Sequence, residues 1–199
     1  MQSKSLLLSF LFLFLSFISF AQNELLDIPP NIPFDKENKI ITYSQVIEVP
    51  GVKQSDLFVI SKKFYIDKMK GKVKDIDLED KENGSVLIKA VYFTPSAGKL
   101  ITSHGPSACS YDLEFKIKEG KVKIIFSPKK WEEFDPQVTK IIAKDNIPLS
   151  KGTGLFKKNE DKIKIKFYED MHAYISEQLN DMKGYFKEEG NKAIKNNDF

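Results

Sequence analysis

Residues 40–70, IITYSQVIEVPGVKQSDLFVISKKFYIDKMK, decide the fold. The first ten alternate: Ile41, Tyr43, Ile47 and Val49 share one face and Thr42, Ser44 and Glu48 the other. That period of two marks a half-buried strand, and Gln45 is the one polar interruption on its apolar side. Pro50 has no N–H to give a ladder and Gly51 permits a sharp reversal, so the strand must stop there. Beyond the turn, Leu57, Ile60, Phe64 and Met69 fall close to three- and four-residue spacings and predict a helix that begins between Lys53 and Ser55. Asp56 lies near the positive end of its dipole. The apolar stripe of this helix needs a partner, and the Ile41/Tyr43/Ile47 face supplies one.

The rest of the chain completes that unit. Gly71 ends the helix, and residues 73–80 predict a second strand with Ile76 and Leu78 on one side and Asp75, Asp77 and Glu79 on the other. Asn83-Gly84 is a turn signal, and the nearly continuous apolar run from Ser85 to Phe93 suits a strand near the middle of a sheet. Residues 94–108, rich in Pro, Gly and Ser, predict a long loop. The clearest hairpin follows: Tyr111, Leu113, Phe115, Ile117, Val122, Ile124 and Phe126 point inward, Glu119-Gly120 turns the chain, and Asp112, Glu114, Lys116, Lys118, Lys121 and Lys123 point outward.

Trp131 and Phe134 are expected under a sheet edge, and 135–161 reads as irregular. A last helix over 163–188 carries Phe167, Met171, Tyr174, Ile175, Leu179, Met182 and Phe186 on one stripe, and 189–199 reads as a frayed tail. Before the first strand, 22–38 holds Pro29-Pro30 and Pro33 and reads as an extended arm. The expectation is one α+β domain over 39–188: a five-stranded antiparallel sheet with two helices on one face, in the order β-α-β-β-β-β-α, and the other face wet.

Residues 1–21 read as a signal peptide: Lys4 supplies the charged start, Leu6 to Phe20 an apolar run too short to span a bilayer, and Ser19-Phe20-Ala21 the small residues for cleavage. Cysteine is absent from that site, so no lipoprotein anchor is expected, and the mature product is expected in the periplasm or outside the cell. The roughly 180 residues that remain suit a single core. Cys109 is the only cysteine. It excludes an internal disulfide and reads as a small buried hydrophobe.

At residues 33–52, PFDKENKIITYSQVIEVPGV, the chain resembles a family of secreted bacterial domains of unknown function with a TATA-binding-protein-like fold. The Asn83-Gly84 turn and the Lys118-Glu119-Gly120-Lys121 turn sit where that family places its hairpins, and the resemblance spans about 32–134. Lys53 departs from the Ser or Thr helix cap usual there, and Lys121 from a common arginine; both changes suit a surface. The resemblance implies an architecture. It brings no catalytic residues.

All 31 basic residues are lysine, set against 28 carboxylates. Without arginine there is no bidentate fork for phosphate or guanine, and the outward carboxylates oppose a nucleic-acid backbone, so nucleic acid is excluded as a partner. Catalysis would need His104 with Cys109 or a loop serine, or Ser103 with His172, yet no nucleophile elbow or orienting carboxylate accompanies them. Asp75, Asp77 and Glu79, two residues apart along a strand, are spaced too widely to hold one cation alone, and Gly152-Thr153-Gly154 lacks the context of a phosphate loop. No cofactor, metal or catalytic residue is therefore expected. The reading is a non-enzymatic binding module for a protein, peptide or envelope component; the alternative is an envelope hydrolase using His104 with Cys109 or a loop serine.

Overall fold

A computed structural model describes residues 25–93, 107–135, 140–151 and 157–197. The expected signal peptide, Ser103 and His104 of the long loop, and Gly152-Thr153-Gly154 lie outside the described residues. The strongest pattern in the sequence forms the middle of the sheet. Ser107–Lys118 (β6) and Lys121–Asp135 (β7) pair antiparallel around Glu119-Gly120. Tyr43–Glu48 (β3) lines the near half of β7, and Ser85–Phe93 (β5) and Ile76–Asp80 (β4) continue from β6, giving the order β3-β7-β6-β5-β4.

Two helices cover one face. Gln54–Lys63 (α1) runs on into a single π-helical turn, Phe64–Lys68, in which Met69 N–H reaches back to the Phe64 carbonyl. That shift lets Phe64 and Tyr65 both face the core beside Leu57, Phe58 and Ile60. The second helix, Lys157–Asn197 (α2), brings Phe167, Met171, Ile175, Met182 and Phe186 onto the same layer as the inward residues of β3, β6 and β7. The α+β expectation holds, with two helices on one side of an antiparallel sheet.

Four local expectations change. First, β4 carries a bulge: Ile76 opposes Ile88, but Leu78 opposes Leu87. One extra residue flips the side-chain parity, so Ile76 packs inward while Leu78 turns out to solvent, contrary to the shared face predicted for them. Second, β7 does not stop at Phe126. Pro128 is accommodated beside a register shift at Ser110/Tyr111, and the strand continues through Trp131 and Phe134, where proline's missing donor is tolerated because the ladder is already irregular.

Third, 135–161 is not irregular throughout. Lys140–Asn146 (β8) pairs with the far half of β7, beyond the end of β3, and adds a strand to the five expected. Fourth, the tail expected to fray from 189 is helical to Asn197, because buried Gly190 and half-buried Ala193 and Ile194 still have a surface to pack on.

The arm is likewise more ordered than an extended segment. Phe34–Asp35 (β1) and Ile40–Ile41 (β2) form a small hairpin whose turn is held by the Asp35 carboxylate, which accepts the Glu37 and Asn38 N–H groups. Upstream, Leu26 and Ile32 are buried, and Leu26 N–H donates to the Leu149 carbonyl. Leu149 in turn donates its N–H to the Tyr168 hydroxyl of α2, and Lys164 reaches the Ser150 carbonyl, so arm, connecting segment and helix are tied in series.

Candidate functional site

Two surfaces compete for the role of functional site: the aromatic layer between sheet and helices, and the uncovered side of the sheet. In the first, Cys109 is buried between its register partners Tyr92 and Trp131, its thiol 3.5 Å from the Ser110 carbonyl oxygen. Around it stand Tyr43, Tyr111 and Tyr174; Tyr92 and Tyr174 stack at 3.5 Å between ring centroids. His172, half-buried on α2, has Nδ1 3.1 Å from the Tyr43 hydroxyl. Sequence reasoning missed this polar lining, because each tyrosine occupies a position that a plain hydrophobe would also fill.

Burial pushes the hydroxyls of Tyr43, Tyr92 and Tyr111 well above the ordinary phenol range and raises that of Tyr174, so they stay protonated and serve as donors and packing surface rather than as anionic nucleophiles. His172 is held by Tyr43, while Ser103, its suggested nucleophile, lies outside the described residues. His104, the suggested partner of Cys109, does too.

The three carboxylates predicted for one strand face diverge. Asp75 precedes β4 and accepts from the Tyr65 hydroxyl at 2.7 Å and the Lys72 N–H at 2.9 Å. Asp77 pairs with Lys89 on the open side at 2.9 Å, and Glu79, beyond the bulge, reaches Lys62 of α1 at 2.8 Å. Among the described residues no group of three or more His, Cys, Asp or Glu is placed to hold a metal ion.

The Asp75 contact has a measurable signature. Burial alone would raise this carboxyl, but the Tyr65 hydroxyl and the Lys72 N–H bond its charged form and hold it below the ordinary carboxylate range. A carboxyl depressed by folding contributes stability that is complete above its unfolded pKa and is lost as pH falls through the folded value, here below pH ~4. Tyr65→Phe is expected to cost about 1 kcal/mol at pH 7 and to flatten the loss of stability below pH ~4. Melting temperature against pH reads this directly; an acid limb unchanged by the substitution would sink the assignment.

On the uncovered side, register places the outward residues in rungs. At the β6–β7 turn lie Glu48, Lys121 and Lys118; next come Val46, Lys123, Lys116 and Ser85; then Ser44, Ile125, Glu114, Leu87 and Leu78; then Asp112 beside Lys89. Charge on the far rungs is paired: Asp112 with Lys129 at 3.2 Å and Asp77 with Lys89. An apolar band crossed by charge runs over this face: Leu78, 52% exposed, shares a rung with Leu87 and Ile125, Val46, 53% exposed, lies among the lysines of the rung before it, and Val91, 41% exposed, lies beyond Lys89 on β5. The lysines of this face were legible from alternation. Leu78 was not, because nothing local in 73–80 announces the bulge.

A cavity of about 480 Å³ opens at the turn end of this face, lined by Val46, Glu48, Ser85 and Lys116, Lys118, Lys121 and Lys123. Gly84 shapes that end. Its φ of +63° suits a residue without Cβ, and a Cβ there would overlap the Ile117 carbonyl oxygen.

Among solved structures, a TBP-like protein from Parabacteroides distasonis aligns with 78% of this chain and 96% of its own, at 12% identity and a TM-score of 0.52. A DUF4468 family protein from Bacteroides ovatus aligns with 76% and 91% at 14% identity and a TM-score of 0.46. No curated protein matches the sequence. The first of these likenesses shows the fold, as the antiparallel sheet backed by two helices leads one to expect. Across residues 43–128, from β3 through the first half of β7, the chain matches the model of DUF4468, a domain of unknown function with TBP-like fold, which is the family its Val-Pro-Gly segment and hairpin turns resemble.

Proposed function

We propose that this protein is a secreted or periplasmic binding module, without enzymatic activity, that engages a protein, peptide or other envelope component through the open face of its sheet. The observation that carries the reading is the bulge in β4, which turns Leu78 outward in one rung with Leu87 and Ile125, between Val46 on the lysine rung before it and Val91 beyond the Lys89 rung, as an apolar band crossed by charge. An exposed band of this kind, edged by charge, is a common mark of an interaction surface. Export is supported by the composition of residues 1–21. Among the described residues, no helix is long and apolar enough to cross a membrane.

The test is affinity capture from the cell envelope with the mature protein and four variants. Leu78→Asp and Val91→Asp are expected to reduce recovery of a specific prey at least tenfold, whereas Cys109→Ala and His104→Ala leave it unchanged. Capture indifferent to the two open-face variants refutes this face as the site. A hydrolytic activity that Cys109→Ala or His104→Ala abolishes replaces the binding reading with the hydrolase one.

A further inference from the structure

The hairpin that centres the sheet breaks a rule that the rest of the open face obeys. In its last two outward rungs lysine stands directly opposite lysine: Lys116 against Lys123 and Lys118 against Lys121. Like charges so placed are destabilising, and cross-strand pairing elsewhere on this face sets lysine beside carboxylate. Two carboxylates neighbour the cluster, Glu114 at 3.4 Å from Lys116 and Glu48 in register with Lys121, which leaves an excess of two positive charges. Among the described residues no carboxylate forms an ion pair with Lys118, Lys121 or Lys123.

These four side chains line the open-face cavity described above, together with Val46, Ser85, Asn83, Ile117 and the single carboxylate Glu48. Its volume is that of a site for a small molecule, not of a groove for a folded partner. Directly opposed positions lie roughly 5 Å apart and successive outward rungs roughly 7 Å apart, so the four ammonium groups frame a patch of that size. Its lining is mainly aliphatic, from lysine stems and Val46. Lysine offers compact point charges with three donors each and imposes no planar fork, so such a frame selects charge more than shape.

Resting on the binding reading above and sharpening it, we infer that the turn end of the open face binds a small molecule bearing at least two phosphate or carboxylate groups, the anionic groups bridging the two lysine rungs and any apolar portion lying against Val46. Removing a lysine from each rung relieves repulsion in the unliganded chain, so these variants should fold.

Calorimetric titration of the full mature chain tests this with inorganic pyrophosphate and citrate as dianionic or higher probes and inorganic phosphate as comparison. Pyrophosphate or citrate is expected to bind saturably, at least tenfold tighter than phosphate, and to weaken as salt rises. Lys116→Gln/Lys123→Gln and, separately, Lys118→Gln/Lys121→Gln should each weaken binding at least tenfold at an unchanged or higher melting temperature. Leu78→Asp should leave it intact. Equal affinity for phosphate, or titrations insensitive to both double variants, overturns the inference. Binding to phosphatidylglycerol vesicles without binding of any soluble anion overturns it in favour of a lipid surface. Anion binding with no prey captured by the unaltered chain, or with capture indifferent to Leu78→Asp, rejects only the apolar-band reading; capture that Leu78→Asp abolishes, without anion binding, rejects only this one.

Discussion

Phe115→Ala is expected to destabilise the domain by about 3–5 kcal/mol, the range for deleting a buried aromatic ring. Phe115 sits on β6 at the middle of the sheet, fully buried, opposite Val86 on one side and Ile124 on the other, with its ring 6.1 Å from that of Phe186 on α2. It therefore joins three strands and the long helix at one point, and close neighbours on three other elements leave little room for collapse into the vacated volume. Urea denaturation measures the effect. Lys121→Ala, on the outward face of the same hairpin, supplies the control and should change stability by no more than ~0.5 kcal/mol. Comparable losses from the two substitutions would mean that the sheet does not bury the face its alternation assigns inward.

That alternation explains how much of the molecule could be read in advance. Where one face of a strand is buried and the other wet, as in β3, β6 and the first half of β7, each residue's partition is written into the sequence, and Ile41, Tyr43, Leu113, Phe115, Val122 and Phe126 all lie where the pattern puts them. Helix stripes are legible for the same reason, though α2 extends beyond its expected ends. Features that depend on pairing with something distant are not legible. The β4 bulge exists only relative to β5, Pro128 is tolerated only because the ladder already shifts register, and β8 becomes a strand by extending an edge left open where β3 ends.

The candidate site divides along the same line. Its lysines followed from period two; its apolar band required the bulge. The opposition of lysine to lysine was implicit in the Glu119-Gly120 turn, since closing a hairpin there sets Lys118 against Lys121 and, two residues on, Lys116 against Lys123. The hydroxyl lining of the core was silent, because tyrosine at an inward position satisfies a hydrophobic pattern whether or not its oxygen finds a partner.

The extension of α2 past residue 188 predicts opposite outcomes for two glycines on one helix. Gly184 has nothing within 4 Å of the place a Cβ would occupy, so Gly184→Ala only removes the entropic cost of glycine in a helix and is expected to stabilise the protein by about 0.5–1 kcal/mol. One and a half turns on, Gly190 is buried where the helix crosses the turn after β3. A Cβ there would overlap Val49 Cγ1 and press on Val52 Cγ2 at 3.1 Å. Both valines are themselves buried, and the turn that holds them is bonded from Val49 N–H to the Gly120 carbonyl at 2.7 Å and from Gly120 N–H to the Val52 carbonyl at 3.0 Å, so neither can retreat cheaply. Gly190→Ala is accordingly expected to cost about 1–3 kcal/mol despite alanine's better helix propensity. Thermal melts of the two variants side by side give the comparison. If Gly190→Ala raises the melting temperature as Gly184→Ala does, the last turns of the helix do not dock against the Val49–Val52 turn, and the tail is the frayed segment its composition suggests.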